Sequence, residues 1–260
     1  MRRVVMLCAL LSGVVSWEAA AQQPLDPGAF GSLGMYPKRL SCSDIPTYSE
    51  PRPEHRLMAA HEPDAKLRRA FSTPDLLTIP GGTSAGLQVG QQFFVRRLLL
   101  SPNHEKPSMD APGMVHTAGW VTIVGADSFA ALARIDHACD GFVKGDYLEP
   151  FSAAPMPTAV ADPGEPRFED MGRLMFGNDG RRTFANGDII VVNRGATHGV
   201  TAGARLAIFR DVKTGGPLVP VGQAIVLTVG ADTSTVIADR VRDALEAGDW
   251  VGLQDGQTRP

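Results

Sequence analysis

Gly82-Thr83-Ser84-Ala85-Gly86 is the stretch of this 260-residue chain that comes nearest to a catalytic motif. In hydrolases, G-x-S-x-G after an apolar strand is a strained strand-to-helix elbow that presents the serine to a general base. Here the following LQVGQQFFVRR carries Gly90 and adjacent aromatics and makes a poor helix. A secreted serine hydrolase using Ser84 is therefore the least favoured expectation. His55, His61, His104, His116, His137 and His198 contain no HExxH and no HxH pair, so neither a metal site nor a cofactor is expected. His104 and His198 read as solvated residues of a loop and a turn. Asp146 and Asp249 directly follow glycine at strand ends, and Asp127 and Asp232 come two residues after one, where a carboxylate caps backbone N–H groups; paired acid–base catalysis is the weaker reading. No glycine-rich loop leads into a helix, so a phosphate cradle is not expected. Arg68-Arg69 and Arg181-Arg182 could face an anionic glycan, but edge strands more often place one such arginine in solvent and stack the other on a neighbour. Trp120, Trp250 and Tyr147 could form a sugar platform, although strand aromatics more often pack in a core.

The elements that must position these residues come in two copies. Arg56-Leu57-Met58 matches Arg173-Leu174-Met175, and Arg68-Arg69-Ala70-Phe71 matches Arg181-Arg182-Thr183-Phe184. Gly82, Gly86 and Gly90 fall on Gly195, Gly199 and Gly203 without a gap, Arg97 falls on Arg210, and Gly145-Asp146 on Gly248-Asp249. Such collinear turn and strand residues predict an internal duplication. On this alignment Thr197 replaces Ser84, and the glycines become turn geometry common to both halves. Strands are expected in the second copy near 172–176, 181–185, 188–193, 205–210, 221–229, 233–239 and 249–253. Asn178-Asp179-Gly180 and Lys213-Thr214-Gly215-Gly216 supply the positive φ of hairpin turns. Val221, Ile225, Leu227 and Val229 fall on one face at period two, with Ala224 and Val226 opposite. The fold class expected is all-β: two tandem small β-barrel modules.

Residues 1–21 read as a signal peptide. Arg2 and Arg3 precede an apolar core from Val4 to Trp17 that is too short to span a bilayer, and Ala19-Ala20-Ala21 offers a cleavage site. A periplasmic or secreted location is expected. Cleavage near Ala21 takes away Arg2, Arg3 and Glu18, so 25 basic and 28 acidic residues become 23 and 27 and the formal charge moves from −3 to −4. That balance carries no footprint for nucleic acid, and no later apolar run is long enough for a membrane span. Residues 22–49 form a Pro/Gly-rich leader whose prolines and glycines should interrupt any helix. Module 1 covers 50–151, a Pro/Ala linker 152–164, module 2 165–254 and a tail 255–260. Cys42 and Cys139 remain after cleavage. In an oxidising compartment they suggest a disulfide tying the leader to module 1, the alternative being two free thiols. The loop at 101–113 is longer than its counterpart. Its residues His104, Glu105, Lys106 and Met109 are a possible interaction site, because loops carry function more often than cores.

VNRGATHGVTAGARLAIFR, followed by VGQAIVL and EAGDWV, resembles the β modules of exported bacterial envelope proteins, often neighbours of LysM domains. It is also similar to the C-terminal domain of flagellar assembly protein T. The resemblance implies a non-catalytic structural or adaptor module, partnered by another envelope protein or a peptidoglycan-associated assembly. A carbohydrate- or small-ligand-binding module is the alternative.

Overall fold

A computed structural model describes residues 36–61, 68–99, 107, 113–152, 157–159, 164–212 and 215–254. The proposed signal peptide, the leader before residue 36, the loop residues His104, Glu105, Lys106 and Met109, and the tail at 255–260 lie outside the described residues. The described chain is all-β apart from one short helix and three 3-10 turns. No described helix is long and apolar enough to cross a membrane.

The leader is less irregular than its prolines suggest. Helix α1 (Tyr36–Ser41) forms because Pro37 occupies its first turn, where a missing N–H costs nothing. Cys42 then donates its N–H to Lys38 O at 3.0 Å, and strand β1 (Ile45–Thr47) follows. The first sheet contains β2 (Ala59–Ala60), β3 (Leu76–Pro80), β4 (Gln92–Leu99), β5 (Gly113–Ala126), β6 (Ala130–Ala138) and β7 (Tyr147–Pro150). Their order is β2-β3-β6-β5-β4-β7, with β1 added beside β5. The ladder does not close completely. Its two ends meet at the single bridge Arg56↔Tyr147, helped by Leu57 N–H to Asp146 O at 2.7 Å and Leu148 N–H to His55 O at 3.0 Å.

The second unit closes fully. Strands β8 (Gly172–Gly177), β10 (Ile189–Val192), β11 (Arg205–Asp211), β12 (Leu218–Val229), β13 (Ser234–Asp239) and β15 (Trp250–Gln254) form a barrel in the order β10-β13-β12-β11-β15-β8. The expected strand at 181–185 shrinks to β9 (Thr183–Phe184). It leaves the barrel to pair with β14 (Leu245–Glu246). Phe184 and Leu245 are both inside the core cluster, so this ribbon plugs the barrel rather than extending its wall.

Strict alternation along β12 also fails. The register slips between Ile208 and Phe209, leaving Val221 without a partner opposite, and again between Val226 and Thr228. Each bulge inverts the facing of the residues beyond it. The core therefore takes Val221, Ala224 and Val226, with Val229 packed at its margin. Ile225 and Leu227 are buried outside that cluster, so the barrel's outer face is covered here.

Aligned positions make like bonds in both units. Gly90 N–H reaches Ile123 O at 2.9 Å and Gly203 N–H reaches Val226 O at 2.8 Å. Leu57 N–H binds Asp146 O, and Leu174 N–H binds Asp249 O. A Cβ on Gly82 would sit 2.0 Å from Asp127 O, and one on Gly195 would sit 2.5 Å from Ala231 O, so neither position admits a side chain. Gly86, Gly90, Gly199 and Gly203 all adopt positive φ.

Candidate functional site

The leader is fastened to the first sheet by a disulfide. Cys42, just past α1, joins Cys139, just past β6, with the Cα atoms 5.6 Å apart. Asp44 comes two residues later, held in place by β1 pairing with the start of β5. That pairing sets Asp44 against His116, which β5 carries inward. His116 Nδ1 lies 2.9 Å from Asp44 Oδ1 and 3.6 Å from Asp179 Oδ1, while Nε2 lies 3.2 Å from Asp140 Oδ2. The Asp44 and His116 side chains are 1% and 7% exposed, whereas Asp179 is 71% exposed. The hydrogen bond to Asp44 raises the His116 pKa against the opposing effect of burial.

Asp179 comes from the second unit. It lies in the Asn178-Asp179-Gly180 turn, where Asp179 and Gly180 both adopt positive φ, as the Asp-Gly signature requires. The turn thereby points an N–H outward. Asp179 N–H donates to Asp44 Oδ2 at 2.7 Å, and Asp44 N–H donates to Asn178 Oδ1 at 3.3 Å. Nearby, Arg97 on β4 faces Asp146 at 3.1 Å and Asp140 at 3.7 Å. Desolvation pushes the Asp146 carboxyl upward despite Arg97 and the Val143 N–H.

A second feature opens between the 45–55 segment and the first sheet. It is a groove of about 740 Å³ lined by Pro51, Pro53, His55, Gln91, Phe93 and Glu149, among others. Arg96 on β4 also lines it and is 8% exposed. Its Nη1 donates to Glu149 Oε2 at 3.0 Å, and its guanidinium lies 4.5 Å from the centroid of Phe94. Arg96 Nε has no hydrogen-bond partner among the described residues. Burial lowers the Arg96 pKa and raises that of its neighbour Tyr147 to about 12.

Ser84 is exposed in a 3-10 turn, Gly82–Ala85, that leads into an irregular segment and then β4 rather than into a helix. Among the described residues it makes no hydrogen bond to a histidine or a carboxylate. The aligned Thr197 bonds Asp232 Oδ1 and Ala231 O and lies 3.0 Å from Nδ1 of His198, which is half-buried in its turn. Asp127 accepts the N–H groups of Phe129 and Ala130, and Asp146 and Asp249 those of Val143 and Glu246, as caps should. Arg68 forks onto Asp75 and Arg181 faces Asp188, while Arg69 and Arg182 are exposed. Trp120 stacks on His137 at 4.4 Å and touches Phe94 and Phe151, and Arg173 covers Trp250. These aromatics are packed, not arranged as a platform.

The cluster around His116 and the groove were both missed from sequence. Asp44, His116 and Asp179 share no short spacing, and only the Asp-Gly turn signal touched any of them. The sequence matches no protein-family model and no curated protein.

Proposed function

We propose that this chain is a non-catalytic, exported envelope protein, an adaptor whose two β units descend from one duplicated module. The like bonds at aligned turn and strand positions support the duplication. The observation that carries the binding role is the open groove beside Arg96, about 740 Å³ and bounded by the proline-bearing 45–55 segment. Its length of mixed apolar, cationic and anionic lining suits an extended segment of an envelope polymer or partner protein better than a small enclosed substrate.

Ala85 lines this groove from an exposed turn. Ala85→Trp should therefore obstruct one side of the groove and leave stability unchanged. Purified protein would be incubated with sacculi and envelope fractions, and co-sedimentation compared between wild type and Ala85→Trp. Capture of wild type alone supports the reading; equal capture of both, or of neither, removes the groove from it.

A further inference from the structure

We propose that Asp44, His116 and Asp179 form a binding site for one divalent transition-metal ion of the zinc type. Their ligand atoms Oδ1, Nδ1 and Oδ1 lie within 4.8 Å of one another, with Nδ1 2.9 and 3.6 Å from the two oxygens. Metal–ligand bonds of about 2.0–2.2 Å in a tetrahedron place neighbouring ligand atoms roughly 3.3–3.6 Å apart; the 3.6 Å separation fits this, and the 2.9 Å one has to open by a few tenths of an ångström as the ion enters.

The other ring nitrogen supplies an independent argument. His116 Nε2 faces Asp140 Oδ2, and a metal-bound histidine characteristically gives its second N–H to a carboxylate. Zinc binding would displace the Nδ1 proton shared with Asp44 and set the cation among the Nδ1 lone pair and the two carboxylate oxygens. The charges around the site agree: among the described residues, Asp44, Asp140, Asp146 and Asp179 face only Arg97 and the imidazole. Imidazole in the ligand set favours zinc over calcium.

Asp179, 71% exposed, and Asp140, 54% exposed, leave one side open for entry and for a water as fourth ligand. Each ligand belongs to a different part of the fold: the leader, β5 and the turn after β8. A bound ion would staple all three. The role is structural and requires no ligand in the groove.

The test uses the full exported chain after chelation. Zn²⁺ titration by calorimetry and Co²⁺ absorption would be measured for wild type, Asp179→Asn and Asp140→Asn, with melting temperatures in chelator as the folding control. Wild type should bind one Zn²⁺ at the site and melt higher with it, and calcium should produce no shift. Asp140→Asn should weaken zinc about 10–100-fold, and Asp179→Asn at least as much, with melting in chelator little changed because both side chains are exposed. Absence of zinc binding by wild type, or equal affinity in all three proteins, would overturn the site. A melting shift produced by calcium and not by zinc would overturn the assignment of the ion.

Discussion

Arg68 and Asp75 form a two-pronged ion pair at the mouth of the first sheet. The Arg68 guanidinium holds the Asp75 carboxyl below its ordinary value, assisted by the Ser72 N–H. A lowered native pKa means the pair's contribution is complete above the unfolded value, about pH 4, and disappears as pH falls through the native value. Arg68 is one-third exposed, which limits the contribution to about 1 kcal/mol. Urea midpoints of wild type and Asp75→Asn should thus differ most near neutrality and converge in acid. Asp249 is a stronger case. It is 5% exposed, receives Arg210 through both oxygens and caps Glu246. Asp249→Ala should cost about 3 kcal/mol, the low end for breaking a buried pair, because Arg210 retains Asp243 and Glu246. Chemical denaturation would measure it. At this scale much was legible beforehand: Asp127, Asp146 and Asp249 do cap N–H groups, because a cap is satisfied within a few residues of its own chain, whereas Asp232 receives the Thr197 hydroxyl instead.

The ribbon of β9 and β14 explains why element-level reading was only partly right. The 181–185 segment looks like a wall strand, yet it contributes one buried phenylalanine and then leaves. Phe184 and Leu245 are 1% and 0% exposed. Leu245→Ala should therefore destabilise by about 2–5 kcal/mol, and a loss under about 1 kcal/mol in thermal unfolding, well below that range, would show the plug to be dispensable. Helix α1 was missed because prolines count against a helix interior but not against its first turn. The bulges in β12 were missed for a different reason. A slip of one residue is decided by what the neighbouring strands allow, and periodicity within one strand carries no record of it.

At the scale of the whole molecule the leader ties the parts together. It supplies a helix, an added strand, the disulfide and Asp44. The Cys42–Cys139 link spans 97 residues. Replacing both cysteines by serine should cost about 2–4 kcal/mol and expose residues 36–52 to proteolysis that the oxidised protein resists. Unchanged cleavage kinetics after reduction would place the leader's anchoring elsewhere.

Local chemistry determined the all-β character, the glycine turns, the capping aspartates and the availability of two cysteines. Each is written in neighbouring residues through φ preference, period-two burial or redox setting. Only the tertiary structure decided that one unit closes fully while the other meets at a single bridge, and that Asp44, His116 and Asp179 converge. Those three positions are separated by 72 and 63 residues. Their approach depends on a strand register, a disulfide and an outward-facing turn acting together, and no short stretch of sequence encodes that sum.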